Sequence, residues 1–178
     1  MLDRAIVTLS NLVMAVAGVA LTLMMVHVTA DVVGKYFFNA PVPMTLELVS
    51  AYYMVGVVFL PLMSVERING NIQVELIAAV LPPLAQRLLD ILAYVLSAGF
   101  FGALTLYTWR VAVDKFEVGE FIMGSYSVIT WPSRFIVPVG AGLVSMLLVL
   151  KLVRAIARLA RGDTSLPEGE AQHGAGAI

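Results

Sequence analysis

The sequence predicts an all-α integral membrane protein with four transmembrane helices. Four apolar stretches are each long enough to cross a hydrocarbon layer as a helix, and none has an ionisable side chain near its middle. The composition agrees, since 60% of the residues are hydrophobic, 13% are charged and the mean hydropathy is +0.93. A spanning helix satisfies its own backbone hydrogen bonds, which lipid cannot do. The predicted spans cover residues 5–30, 46–65, 88–109 and 131–152.

One membrane domain, residues 1–161, fills almost the whole chain. The first apolar stretch is too long for a cleaved signal peptide and is interpreted as an uncleaved span. Residues 162–178 are rich in Gly, Glu and Ala and are predicted to form a disordered cytoplasmic tail. The chain has no cysteine, which excludes disulfides, thiolate metal sites and cysteine nucleophiles. We expect neither an enzyme nor a cofactor in this chain, because motifs of soluble catalysis are absent.

The basic residues flanking the spans predict the orientation, because cytoplasmic flanks carry more Lys and Arg. With four spans, both termini lie on one side of the membrane, and that side receives most of the basic residues. We therefore expect both termini to be cytoplasmic. A net charge of −1 gives no reason to expect a nucleic-acid partner. The basic residues on the side of the termini are Arg4, Arg67, Arg87, Lys151, Arg154, Arg158 and Arg161; those on the other side are Lys35, Arg110, Lys115 and Arg134.

Small and polar residues share one narrow face of span 1. Helices in lipid pack through such residues, so this face is interpreted as a packing seam, with a ligand groove as the alternative. A ladder of ionisable residues follows on one face where the helix leaves the membrane, and it is interpreted as an interfacial charge cluster. The face consists of Asn11, Ala15, Gly18, Thr22 and Thr29, and the ladder consists of His27, Asp31 and Lys35.

Glu47 lies in the first turn of span 2, after a loop over residues 34–44 that contains an aromatic anchor, Tyr36 to Phe38. The positive end of the helix dipole favours a carboxylate there. A contact with a partner subunit is the alternative explanation. Residues 71–81 then have the pattern of a short amphipathic helix in the membrane plane, which suits either a plain connector or a docking arm.

Span 3 has small residues four apart around Gly102, a pattern that allows close helix approach. The stretch 110–130 is long for a loop, and we interpret it as a re-entrant or surface-lying segment that could contact a partner. Trp131 and Pro132 start span 4 with an interface aromatic and a proline at the first turn. Gly140 and Gly142 are expected to soften its middle.

Residues 35–48, KYFFNAPVPMTLEL, resemble the signature of the small membrane subunit of TRAP transporters, the DctQ-like family. The family pattern is basic–aromatic–x–aromatic–Asn–x–Pro–x–Pro–Trp–x–x–Glu. Residues 70–75 and the start of span 4, from Trp131-Pro132 to Gly140, resemble two further blocks of the family in the same order. This chain has Met44 where the family usually has Trp, and Asn71 where it often has His.

The resemblance implies a sodium-driven importer of organic acids in the bacterial inner membrane. In that family a periplasmic binding protein captures the substrate, and a large multi-span subunit holds the substrate and sodium sites. The small subunit packs beside the large one as a non-catalytic scaffold in contact with lipid. This division agrees with spans that have no central ionisable group. The resemblance makes Lys35, Glu47, Trp131 and Pro132 candidates for inter-subunit contacts, and the small-residue pattern of span 3 adds Gly102. No catalytic, cofactor or metal residue is expected.

Two other functions would explain four short spans. A self-sufficient small transporter working as a homodimer needs a carboxylate embedded in the membrane, whereas Asp31 and Glu47 both lie near helix ends. A membrane anchor for a redox enzyme needs axial haem ligands, and the chain has only His27 and His173. The sequence does not indicate which solute the complex transports.

Overall fold

Four helices of membrane-spanning length and composition make up the computed structural model, which describes residues 2–68, 82–123 and 127–161. The prediction of a helical membrane fold with four spans is therefore confirmed. The predicted interfacial helix at 71–81 and the tail at 162–178 lie outside the described residues. The helices are α1 (Leu2–Phe38), α2 (Thr45–Arg67), α3 (Pro83–Val118) and α4 (Trp131–Ala160).

The helices extend beyond the apolar stretches that predicted them. α3 is 36 residues long, or about 54 Å at the usual rise, whereas a hydrocarbon core is about 30 Å thick. Hydropathy detects only the part of a helix that matches lipid, and the charged residues Arg110, Asp114 and Lys115 continue α3 past it. The expectation of one long loop over 110–130 is therefore wrong, because residues up to Val118 are helical.

A short β-hairpin joins α3 to α4 and was not predicted. Gly119 ends α3 in the left-handed conformation, with φ of 65°, and lets the amide of Glu120 donate to the carbonyl of Lys115. Strands β1 (Phe121–Met123) and β2 (Ser127–Ile129) then pair antiparallel. Three residues per strand are too few to show an alternating pattern in the sequence.

α4 is interrupted at Phe135, and α2 is interrupted more extensively. α2 consists of an α-helical turn (Thr45–Leu48), a π-helical turn (Val49–Tyr53) and two α-helical segments (Met54–Phe59 and Leu62–Arg67). The break between the last two segments falls at Pro61, which has no N–H to donate to the helix ladder.

The helices pack in the spatial order α1, α2, α4, α3, so that α4 lies between α2 and α3. α2 and α4 approach very closely at Gly140. A Cβ placed there would lie 2.8 Å from the carbonyl carbon of Phe59 and even closer to its oxygen. Gly140 is thus needed for close contact between two backbones.

The main core lies toward the end of the bundle where α1 begins and α4 ends, which we call the terminal end. Side chains from all four helices meet in this core, and two polar links reinforce it. Lys151 on α4 pairs with Glu66 on α2, with 2.6 Å between Nζ and Oε1. Arg67 donates from Nε to the buried hydroxyl of Ser10 on α1, at 3.1 Å. The core residues are Ile6, Met63, Tyr94, Ala98, Phe101, Val144, Leu147 and Leu148.

Candidate functional site

The opposite end of the bundle, which we call the turn end, has an ordered loop between α1 and α2. The carboxylate of Asp31 accepts a hydrogen bond from the amide of Val42 at 2.8 Å and so fixes the loop to α1. The amide of Ala40 donates to the carbonyl of Gly34 at 3.1 Å. The hydroxyl of Thr45 donates to the carbonyl of Val42 at 3.0 Å and joins the loop to α2. Asp31 is thus more than a surface charge, since it holds this turn in place.

Lys35 and Glu47 lie on either side of this turn, and the structure does not pair them. Lys35 is exposed in the last turn of α1, where a cation suits the negative end of the helix dipole. Glu47 is half-buried in the first turn of α2, as the dipole argument expects. Across residues 2–68, 82–123 and 127–161, the ion pairs involve neither side chain. Both are therefore available to a neighbouring molecule.

The π-helical turn of α2 aims two tyrosines at different parts of the chain. The hydroxyl of Tyr52 donates to the carbonyl of Ile129 at 2.6 Å and ties the β-hairpin to α2. The ring of Tyr53 packs edge-on against that of His27 on α1, with 6.0 Å between centroids. The extra residue of a π turn rotates successive side chains relative to an α-helix, and such turns are frequent at functional sites.

An ionic cluster around Glu120 closes the base of the hairpin. Arg134 donates to both carboxylate oxygens of Glu120, from Nε at 2.9 Å and from Nη2 at 3.2 Å. Lys115 lies 3.4 Å from the same carboxylate. Hydrogen bonding from Arg134, helped by its charge and by Lys115, holds the pKa of Glu120 below its ordinary value against the opposing effect of burial.

Trp131 and Pro132 form the start of α4 beside the end of α3. The Trp131 ring packs edge-on against Phe116 at 4.8 Å and against Phe135 at 6.4 Å. Trp109 also packs edge-on against Phe135, at 5.6 Å. Pro132 occupies the first turn of α4, where its missing N–H costs nothing. These rings form an aromatic layer at the turn end, in which the candidate Trp131 has neighbours within its own chain.

Gly102 contacts α4 within the same chain. A Cβ at this position would lie 3.5 Å from the hydroxyl oxygen of Ser145, an ordinary packing distance. The small-residue pattern around Gly102 therefore serves the seam between α3 and α4, which is the most extensive helix contact in the bundle.

Most of the small-residue face of α1 is exposed among the described residues, although Asn11 at its start accepts a hydrogen bond from Arg67 at 3.2 Å. Ser10, Ala17 and Ile6 are buried, whereas Gly18 and Ala15 lie on the other side of the helix and are exposed. A Cβ added at Gly18 would meet no atom within 4 Å. The structure shows no helix of the described residues against Gly18, so the interpretation of this face as a packing seam stays a prediction. The helical repeat of about 100° turns Gly18 away from α2.

Several contacts at the site were missed in the sequence analysis. The bonds from Val42 to Asp31 and from Tyr52 to Ile129 involve backbone partners, which leave no mark in residue identity. The pair of Glu120 and Arg134 could have been predicted from the sequence, since opposite charges flank a short stretch before the start of a helix. In the described ranges, no group of His, Asp and Glu side chains is arranged to hold a metal ion.

The fold defines a helical membrane protein with four spans, whose turn end carries an ordered loop and a β-hairpin. Comparison with protein families identifies it further. The family of the DctQ component of tripartite ATP-independent periplasmic transporters matches residues 24–158, which include the second part of α1 and nearly all of the other three helices. The chain belongs to this family, so it is a TRAP transporter component that associates with partner subunits. No curated protein and no solved structure matches the chain.

Proposed function

We propose that this chain is the non-catalytic scaffold subunit of a sodium-coupled TRAP importer of organic acids, and that it packs against the large transport subunit. Family membership supports the role of a transport component. The middle of each span lacks an ionisable residue, which suits a subunit that leaves ion and substrate binding to its partner. The sodium site, the substrate site and transient docking of the periplasmic binding protein then belong to the rest of the complex.

The observation that carries the packing proposal is the exposed small-residue face of α1. Leu, Met and Val side chains cover most of the exposed surface of this helix, and the face at Gly18 interrupts them with open space. Small residues let two helix backbones approach in lipid, where packing replaces the hydrophobic effect. Gly18 and Thr22 lie opposite the side that contacts α2, so a helix of another subunit can reach them.

The turn end supports a second part of the same interface. Glu47 is half-buried at the start of a membrane helix, and the described residues offer it no ion pair. A charged donor from the large subunit would give the carboxylate of Glu47 a charge-assisted hydrogen bond. Lys35 and the exposed ring of Tyr36 flank it across the turn.

The proposed orientation places both termini in the cytoplasm and the turn end in the periplasm, with the protein in the bacterial inner membrane. Arg67 and Lys151 lie at the terminal end, as their contacts with Ser10 and Glu66 require. Arg154 and Arg158 extend the basic surface on α4 beyond them. An excess of basic residues on this side favours the cytoplasm.

The test is co-purification of the large subunit with a tagged Gly18→Leu variant from its native membrane in mild detergent. A Cβ at Gly18 meets no atom of the described residues within 4 Å, so we expect leucine there to leave the fold intact and to block the interface. We expect roughly a tenfold loss of recovered large subunit, as a close helix contact that is overpacked costs about 1–3 kcal/mol.

Gly99→Leu is the matched control, because Gly99 on α3 also faces open space. It should recover the large subunit as wild type does. Recovery that is unchanged in Gly18→Leu and lost in Gly99→Leu would move the interface to α3. Purification of wild type as a homodimer without a larger multi-span protein would refute the scaffold proposal and favour the self-sufficient transporter, with Asp31 and Glu47 as the first residues to replace.

A further inference from the structure

A cavity of about 230 Å³ lies at the turn end between the π-helical turn of α2, the β-hairpin and the start of α4. Its lining is partly polar and partly apolar, and we call these two sets of residues the polar wall and the apolar wall. The polar wall consists of Ser50, Thr130, Ser133 and Arg134, and the apolar wall consists of Ala51, Val55, Ile122 and Val137. The ion pair of Glu120 and the contacts of the hairpin do not account for a cavity that is lined by both polar and apolar side chains.

The polar wall combines a guanidinium with hydroxyl oxygens. Arg134 uses Nε and Nη2 on Glu120, and its guanidinium has further N–H donors on Nη1. Its side chain is 50% exposed, so these donors can be reached. The hydroxyls of Thr130 and Ser133 donate to the carbonyls of Glu120 and Thr130, which leaves their oxygens as acceptors. The wall therefore suits a ligand with an anionic group beside a hydrogen-bond donor.

Two residues of the apolar wall, Val55 and Val137, lie further from the turn end along α2 and α4 than the polar residues Ser50 and Ser133. Val55 lies ten residues after Thr45 at the start of α2, which is about 15 Å along a helix. Trp131 and its ring neighbours mark the level of the membrane interface at the start of α4. The cavity thus runs from headgroup level into the first part of the hydrocarbon layer. A soluble anion would leave its apolar part unfilled, and a hydrocarbon chain alone would leave Arg134 unmatched.

We propose that this cavity binds one phospholipid of the leaflet at the turn end. The phosphate accepts hydrogen bonds from Arg134, and a headgroup amine or hydroxyl donates to Thr130 and Ser133. The start of an acyl chain then passes Ile122 and Ala51 and lies along Val55 and Val137. Phosphate and guanidinium match in geometry as well as in charge. The bound lipid would fill the gap between α2 and the hairpin, which Tyr52 bridges at only one point.

Native mass spectrometry of the full chain in detergent tests this proposal. The protein is stripped of lipid and then given mixed micelles that contain equal parts of phosphatidylethanolamine and phosphatidylglycerol. Wild type should retain one phospholipid per chain. Arg134→Gln should weaken retention at least about tenfold, since a hydrogen bond to a charged group contributes about 1.5–3 kcal/mol. Val137→Trp fills the apolar wall and should weaken retention comparably.

Two control variants separate lipid binding from damage to the fold. Glu120→Gln breaks the ion pair at the base of the hairpin and keeps Arg134, so it should still retain the lipid. Val139→Trp adds the same bulk to an exposed α4 position that does not line the cavity, and it should behave as wild type. Loss of lipid in Glu120→Gln equal to that in Arg134→Gln would overturn the assignment of the phosphate to Arg134.

The lipid itself is tested against a soluble ligand. Glycerol phosphate, which offers the same anion without acyl chains, should not displace the lipid. Displacement at similar concentrations would overturn the lipid proposal in favour of a soluble phosphate ester. A wild-type chain that retains no phospholipid, or equal retention in all variants, would also refute it. The outcome is independent of co-purification with the large subunit.

Discussion

Gly140→Ala should destabilise the bundle strongly for a single methyl group. The added Cβ would lie 2.8 Å from the carbonyl carbon of Phe59 and 3.0 Å from its Cβ, whereas ordinary contacts begin near 3.4 Å. The atoms in the way are backbone or Cβ atoms, so rotation of a side chain cannot relieve the clash. α2 and α4 must therefore separate by about 0.5 Å or more at this point, as a tightly packed interior transmits strain.

The magnitude follows from two opposing effects. Overpacking of this kind costs about 1–3 kcal/mol, and rigid neighbours place Gly140 at the upper end. Replacement of glycine by alanine in a helix returns about 1 kcal/mol through backbone entropy. The net loss is then about 2 kcal/mol, or roughly 4–8 °C in Tm for a chain of this size. Intrinsic tryptophan fluorescence during heating in detergent measures it, because Trp131 lies on α4 itself and Trp109 lies on its neighbour α3.

Gly142→Ala is the control on the same helix. Its added Cβ would lie 3.4 Å from the methyl group of Thr105, which is an ordinary contact, so only the helix gain should remain. We expect its Tm to equal that of wild type or to rise by about 2–4 °C. The reasoning is refuted if Gly140→Ala melts as high as Gly142→Ala, because the two backbones would then have room that the structure does not show.

Two further predictions concern the turn end. Asp31→Ala removes the acceptor of the Val42 amide and should destabilise the loop locally by about 1–3 kcal/mol, which is measured as faster hydrogen exchange across 39–44. Asp31→Asn keeps an acceptor oxygen and should exchange more slowly than Asp31→Ala. Equal exchange in wild type and both variants would contradict this prediction. The pKa of Glu120 is lower in the folded state than in the unfolded state, so the ionised carboxylate stabilises the fold. This contribution to the free energy of unfolding is complete above the unfolded pKa of about 4.3 and is lost as pH falls through the folded pKa. The difference in Tm between wild type and Glu120→Gln should therefore shrink as pH falls below about 4.3, and a difference that stays constant in acid would rule out the ionised pair with Arg134.

Hydropathy predicted the spans well because lipid imposes one strong requirement, an apolar helix of fixed length. It could not predict where the helices end. Lys115 and Asp114 continue α3 in water, where helix formation depends on packing and capping and no longer on hydrophobicity. The β-hairpin depends on contacts with Tyr52 and Arg134 that lie far away in sequence or belong to the backbone.

The candidate residues show the same division. Glu47 and Pro132 could be placed from helix-end chemistry alone, which is a local property. The partner of each helix face could not be predicted from the sequence, because small residues favour close approach without indicating which helix approaches. Gly102 turns out to contact α4, Gly18 faces outward, and Gly140 is a contact point with Phe59 instead of a place where span 4 softens. Only the spatial order of the helices distinguishes these three glycines.

That spatial order has a consequence for biogenesis. α4 is synthesised after the other three helices, yet it lies between α2 and α3. Until it inserts, α3 lacks its most extensive neighbour, and the core around Val144, Leu147 and Leu148 does not exist. The bundle therefore cannot be completed helix by helix during synthesis. A truncated chain that ends before Trp131 would leave three inserted segments without their common centre, exposed to membrane quality-control proteases.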